Sequence, residues 1–206
     1  EAGALQWMPN GQLAVSTRLG DIYLIDGALE EDLSKVKFNL YAQGLHEVLG
    51  LTVKGDALYA TQRGEITRIT DQNKDGRADL FETVSDFWSI GGDYHEYAFG
   101  SKIDPEGNIW VVLCLTGSFT SEYPWRGWCI RVNEDGTAVP TSSGIRSPGG
   151  IGTNHLGDMF YTDNQGPWNG TCGLKLLKPR AFVGNPSGNS WYKATGAMGP
   201  RPQDPQ

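Results

Sequence analysis

The stretch GIRSPGGIGTNHLGDMFYTDNQGPW, residues 144–168, decides the fold. Arg146 sits on a Gly/Pro loop that runs into a short apolar strand, and a Gly157-Asp158 break turns the chain into a second strand, MFYTD. That strand ends in the tight polar run Asn164-Gln165-Gly166-Pro167. Two alternating strands around a Gly-containing turn read as a β-hairpin. The start of its first strand and the end of its second lie on one side of the sheet, and there its polar groups gather.

The same grammar recurs along the chain. PNGQLAVSTRLGDIYLID (9–26), VKGDALYATQRGEITRITD (53–71) and DPEGNIWVVLCLTGS with GWCIRVNEDG (104–136) each repeat apolar runs separated by Gly turns, as does NHLGDMFYTDNQGPWNGTCGLKLLKP (154–179). The turn glycines Gly11, Gly55, Gly107 and Gly157 are spaced by 44, 52 and 50 residues. A period near that length suits a four-stranded antiparallel unit with its loops, the blade of a β-propeller. The 28 glycines, 11 prolines and short β-branched or aromatic runs favour strands and turns, and only Leu29 to Lys37 has room for a helical turn or two. The expected class is all-β, with four blades at about 1–40, 41–90, 91–140 and 141–185. Residues 186–206, rich in Gly and Pro without alternation, read as a loop or tail.

Composition narrows the partners. A net charge of −7 without a Lys/Arg cluster excludes a nucleic-acid footprint and argues against an anionic membrane surface. No apolar run approaches the length of a membrane-spanning helix. Cys114, Cys129 and Cys172 lack the spacings of zinc, thioredoxin-like or haem motifs. Cys114 and Cys129 fall on successive expected strands, which leaves open a disulfide in an oxidising compartment or two buried thiols.

Aligning the repeats lines up the residues that precede each innermost strand. GLHEVLGL (44–51) superimposes on GIRSPGGI (144–151), which sets His46 opposite Arg146, while YHEYAFGS (94–101) brings His95 and Glu96 to the corresponding position. Innermost strands of a propeller line its central channel, so the loops that lead into them are expected to converge on one face. His95 reads either as a general base or as a histidine bonding a blade-connecting loop. Arg146 reads either as a clamp for anionic oxygens or as a salt bridge between blades.

A second motif is local. Asp71, Asn73, Asp75, Asp79 and Glu82 reproduce the oxygen-ligand spacing of an EF-hand calcium loop, with Gly76 at the sharp turn and Arg77 supplying a carbonyl. Its flanks ITRIT and LFETV are strand-like, so the expectation is a structural calcium clip between two outer strands. An Asp/Asn-rich hairpin without metal is the other reading. Trp110 reads as core; Trp125, Trp128 and Trp168, near Gly-rich turns, read as packing or as a platform for a sugar or quinone.

These motifs resemble the six-bladed propeller family of soluble sugar and sorbosone dehydrogenases that use pyrroloquinoline quinone (PQQ). There G-x-R-N-P-Q-G opens a blade and E-x-G-P closes its hairpin; Gly144, Arg146, Pro148, Gly150, Gly166 and Pro167 match, with Asn164 or Gln165 at the acidic position. GLHEVLGL, YHEYAFG, PWRGW and GIRSPGGIG together are most similar to the planctomycete-type membrane-bound dehydrogenase propellers. The resemblance implies four visible blades of six, the others supplied by more of the chain or by another chain. It implies a PQQ-dependent oxidoreductase of sugars or polyols, with His95 as base and Arg146 as electrostatic support. His46, Glu96, Asn164, Gln165, Gly166 and Pro167 would then lie about the cofactor, the last four at a turn whose carbonyls serve a calcium ion. It further implies a cytochrome c or other electron acceptor, and a secreted, periplasmic or cell-surface setting. The alternative is a non-catalytic, calcium-stabilised propeller that binds a carbohydrate or protein partner.

Overall fold

A computed structural model describes residues 1–195, which divide into two compact units, 1–84 and from Ser85 onward. The first unit holds two four-stranded sheets in sequential order. One comprises β1 (Ala2–Trp7), β2 (Leu13–Thr17), β3 (Ile22–Asp26) and β4 (Lys37–Ala42). The other comprises β5 (Gly50–Lys54), β6 (Ala57–Thr61), β7 (Ile66–Thr70) and β8 (Leu80–Ser85). Each is a meander whose apolar residues alternate into one shared core of Ala14, Ile22, Leu24, Tyr41, Val48, Leu51, Leu58 and Ile69. The helical allowance at 29–37 shrinks to one 3₁₀ turn, Leu33–Lys35, capped by the Asp32 carboxylate on the Ser34 N–H.

The second unit has a four-stranded sheet of β9 (Ala98–Ile103), β10 (Ile109–Leu113), β11 (Trp128–Val132) and β12 (Ala138–Ser143). Beside it lie three strands, β13 (Gly150–Thr153), β14 (Met159–Asp163) and β15 (Gly173–Leu177), so the fourth sheet is one strand short among the described residues. Trp110, Val112, Cys129, Ile145, Met159, Tyr161 and Leu177 pack between the two sheets. Cys114 and Cys129 are buried free thiols, which settles the disulfide question in favour of packing. Pro186–Ala194, expected as loop, forms 3₁₀ turns capped by Asn185, because a buried Tyr192 anchors a segment that lacks any alternating pattern. The remainder of that tail lies outside the described residues. No helix among the described residues is long and apolar enough to cross a membrane.

The repeated turns share one geometry. Gly11, Gly107 and Gly157 donate their N–H to the carbonyls of Met8, Asp104 and Asn154, three residues back, each at 3.0–3.1 Å. Each glycine has φ near +87°, the left-handed region that side chains resist. The Asp104 carboxylate also accepts from Asn108 and from the Trp110 indole at 2.8 Å. Burial opposes its ionisation, yet those donors hold its pKa below the usual value.

The first unit fastens the approach to β5 with an ion cluster. Glu47, in the left-handed region at φ +48°, bridges Arg18 at 3.1 Å and Arg63 at 2.7 Å. Burial disfavours its charge, but the two guanidinium groups outweigh it and lower the pKa from 4.5. A lowered folded pKa means that this contribution to stability is complete above the ordinary value and is lost as pH falls through the folded one. Unfolding midpoints in urea should therefore drop as pH falls from about 5 to 3, and Glu47→Gln should flatten that slope while lowering stability at pH 7.

Candidate functional site

The candidate residues lie on the loops that lead into the first strand of each sheet. In the first unit His46 is exposed, its backbone N–H donating to the Gln62 side-chain oxygen at 2.5 Å and its carbonyl accepting from the Arg63 N–H. In the second unit the Arg146 backbone N–H points in the same way at the Asp163 carboxylate, 3.3 Å away. Gln62 and Asp163 both end, or directly follow, the second strand of their sheet. The repeat therefore supplies a latch: a side chain at the end of that strand holds the lead-in loop by its main chain.

Asp163 is the stronger latch. Its side chain is fully buried and accepts from the N–H groups of Ser147 and Asn164, both at 2.9 Å, and from the Tyr161 hydroxyl at 3.0 Å, with Lys175 Nζ at 3.5 Å. Burial, then the neighbouring carboxylate, pushes the Tyr161 hydroxyl pKa up, so Tyr161 stays a donor. With the loop backbone fixed, the Arg146 side chain is aimed by three further contacts. Nε donates to the Ser118 carbonyl at 3.3 Å, Nη1 donates to the Gln165 carbonyl, and the guanidinium carbon lies 4.8 Å over the Phe119 ring. No acidic side chain pairs with Arg146, and Nη2 has no partner among the described residues. The inter-blade salt bridge left open by the sequence is therefore replaced by a carbonyl cradle.

His95 lies on the neighbouring lead-in loop. Its Nδ1 is 3.4 Å from the Asp93 carboxylate, which also accepts the His95 backbone N–H, and its ring lies tilted against that of Tyr94, centroids 3.8 Å apart. Glu96 is wholly buried: Oε2 accepts from Gly91 N–H at 2.6 Å and Gly92 N–H at 2.9 Å, while Oε1 finds no hydrogen-bond donor. It ties down the loop that carries His95. The segment just past β10 joins this loop to the one carrying Arg146, since Cys114 N–H donates to the Tyr97 carbonyl and Leu115 N–H to the Arg146 carbonyl, both at 3.0 Å. His95 and Arg146 thus flank one strand end without touching each other.

The turn at 164–167 is closed by paired backbone bonds between Gly166 and Asn169, with Pro167 at its corner and Trp168 folded onto Gly166. Its Gln165 carbonyl is taken by Arg146, and Asn164 Oδ1 accepts the Gln165 N–H and faces the exposed Cys172 thiol. A guanidinium on that carbonyl is at odds with a calcium ion there. The aromatic platform is also narrower than the sequence suggests: Trp128 is fully buried and Trp125 stacks on Phe87, so both are packing. Phe119 takes their place beside Arg146. Neither Phe119, Asp163 nor the buried Arg126, which donates to the Ser89 and Tyr97 carbonyls, carries a sequence signal beyond its place near a strand end.

The calcium-like loop joins β7 to β8. Asp71 accepts the N–H groups of Lys74, Asp75 and Gly76, Asn73 accepts that of Asp75, and Asp75 accepts that of Arg77. Asp79 reaches back to the Gln72 N–H. Glu82 is on β8 and pairs with Arg68 at 2.9 Å. The turn has the shape and oxygen donors for a hard cation, yet no three acidic, His or Cys side chains come together in metal-holding geometry among the described residues.

No family model matches the sequence, and no match was found among curated proteins. Solved structures do match. An aldose sugar dehydrogenase from Streptomyces coelicolor, in its PQQ-bound form, superimposes at TM-score 0.68 and 20% identity over 99% of this chain and 66% of its own. The soluble aldose sugar dehydrogenase of Escherichia coli gives 0.70 at 14% identity, over 90% and 62%. The PQQ domain of a Coprinopsis cinerea pyranose dehydrogenase gives 0.67 at 13%, over 90% and 54%. The chain has the fold of a β-propeller. It spans less than two thirds of these matched chains, and its all-β sheets are four blades of that fold.

The latch is directly testable. Asp163→Ala strands several buried donors and should cost about 3 kcal/mol in urea unfolding, whereas Asp163→Asn, which keeps one acceptor oxygen, should cost less.

Proposed function

We propose that the chain belongs to a quinone-dependent oxidoreductase of sugars or polyols. The observation that carries this reading is Arg146: a guanidinium held by two carbonyls and an aromatic ring, with one amino group left for a ligand. Such a group suits the planar, polycarboxylated ring of PQQ, because its donors match carboxylate and carbonyl oxygens and its face stacks. Solved propellers of similar shape include a PQQ-bound aldose sugar dehydrogenase and the PQQ domain of a pyranose dehydrogenase, which supports the same reading.

In this reading His95 is the general base. Asp93 beside Nδ1 favours the tautomer with its proton there, which leaves Nε2 to accept the substrate hydroxyl proton. The bound quinone supplies the two-electron acceptor for the hydride that leaves the same carbon, so the alcohol becomes a carbonyl. Glu96 fixes the loop beneath His95 rather than touching cofactor, and Asp163 fixes the loop beneath Arg146. Asn164, Gln165, Gly166 and Pro167 complete the rim of the proposed cofactor site, and a cytochrome c or similar carrier outside the cytoplasm would take the electrons onward.

Calcium in the 71–82 loop belongs to the proposal as a stabilising clip, with Asp71, Asn73, Asp75, the Arg77 carbonyl, Asp79 and Glu82 as ligands. Filling it requires Glu82 to leave Arg68. A second reading, a non-catalytic propeller that binds a carbohydrate or protein partner, is favoured by the Arg146 contact with the Gln165 carbonyl, which removes a calcium ligand from the 164–167 turn.

Absorbance titration with PQQ should show micromolar binding that weakens at least about tenfold in Arg146→Ala. His95→Ala should keep that binding while sugar-dependent dye reduction falls about 10²-fold or more. No binding of PQQ at micromolar concentration would sink the enzymatic reading and leave the second. Separately, calcium at about 1 mM should raise the melting temperature, and Asp71→Ala should erase the rise; an unchanged melting temperature removes the clip.

A further inference from the structure

The resemblance assigns the 164–167 turn to a calcium ion that serves the cofactor, and the donor set there does not fit one. A calcium ion takes about six to eight oxygens, with carboxylates among them to balance its charge. Between Asn164 and Gly173 the sequence holds no acidic residue. The adjoining carboxylate, Asp163, is buried and committed. It accepts from the N–H groups of Arg146, Ser147 and Asn164 and from the Tyr161 hydroxyl, with Lys175 Nζ at 3.5 Å.

The turn's own oxygens are committed as well. Arg146 Nη1 donates to the Gln165 carbonyl, the Asn169 N–H donates to the Gly166 carbonyl at 2.9 Å, and Asn164 Oδ1 accepts the Gln165 N–H at 2.9 Å. The Cys172 thiol lies 3.2 Å from Gln165 Oε1 and 3.4 Å from Asn164 Oδ1, so it faces both side-chain oxygens. A divalent ion at this turn would meet neutral oxygens already in use and the like charge of the guanidinium.

What the turn does hold is a cation of the chain's own. The Arg146 backbone is fixed to Asp163, Nε to the Ser118 carbonyl and Nη1 to the Gln165 carbonyl, with the guanidinium carbon 4.8 Å from the Phe119 ring centroid. From this we infer that the Arg146 guanidinium stands in the place of the calcium ion, and that the chain binds the quinone at this site without a metal. The inference rests on the oxidoreductase reading and specifies its cofactor requirement. The guanidinium does both things asked of the ion: it draws in the Gln165 carbonyl, which closes the turn, and it offers positive charge and N–H donors to carboxylate oxygens. Being covalently held, it is not removed by a chelator. Calcium then acts on this protein through the 71–82 loop alone, on stability and not on quinone affinity.

Two measurements on the 206-residue chain test this. In the first, PQQ is titrated by absorbance in about 1 mM calcium and in excess EGTA, with circular dichroism to follow the fold, and the two Kd values should agree within about twofold. Asp71→Ala, which lacks the clip, should give the same agreement. In the second, equilibrium dialysis against radioactive calcium should show that the PQQ-saturated chain takes up no more calcium than the free chain. This measurement needs no variant, so it decides should Asp71→Ala fail to fold. An additional equivalent of calcium with PQQ, or affinity that rises about tenfold or more with calcium in Asp71→Ala, overturns the inference and leaves the oxidoreductase reading standing. A calcium effect confined to the parent, with no additional equivalent, comes from the clip and supports the inference. Absence of PQQ binding in both buffers removes the oxidoreductase reading, and this inference falls with it.

Discussion

A fully buried carboxylate holding loop amides is the constraint on which the second unit depends. Asp163 meets three backbone N–H groups, one hydroxyl and one ammonium, all of them supplied by the chain itself. A charge in such a place is tolerated only because its donors are complete. Completeness in turn fixes the path of Gly144–Ser147, and with it the backbone from which Arg146 projects. Gln62 does the same for His46 with a neutral amide. Two blades thus solve one problem, holding a glycine-containing lead-in loop still, with acceptors of different charge.

Much of the fold was legible in the sequence because its signal is periodic. Gly turns at a spacing near fifty residues, with alternating strands between them, leave little besides a meander of blades. The match between GLHEVLGL and GIRSPGGI also foretold that His46 and Arg146 share a local setting. What escaped was everything decided by packing rather than pattern. Asp163 looked like the last residue of a strand, Glu96 like a polar neighbour of a histidine, and Arg126 like part of an aromatic turn, yet all three are buried. Burial of a polar residue leaves no periodic trace; it depends on which donors the tertiary structure brings. Trp128, which the sequence leaves as packing or platform, is packing: it is fully buried, with the Tyr192 ring of the 3₁₀ turns 6.0 Å from it.

The calcium-like loop shows how sequence spacing and side-chain geometry part company. Spacing sets which oxygens can face inward, and Asp71, Asn73 and Asp75 do form the tight stack of turns that an oxygen cage requires. Glu82, however, lies on a strand, where the direction of its side chain is set by the pleat. The pleat delivers it to Arg68. In a helix–loop–helix frame the twelfth residue has no such competing obligation.

The insertion between β10 and β11, which presents Phe119 to Arg146, is braced from far along the chain. Ser187 Oγ donates to the Phe119 carbonyl, the Trp191 indole donates to Ser121 Oγ at 3.0 Å, and the Asn185 side chain donates to the Ile145 carbonyl at 3.0 Å. These contacts close loops of 68, 70 and 40 residues. Pairings of such sequence separation form late, because loop-closure entropy is spent before they contribute. On the ribosome, the blades can form their hairpins as they emerge, but the arginine cradle acquires its final shape only once the segment around residue 190 has been made. Its maturation is thus timed by synthesis of the chain rather than by the blades that carry it.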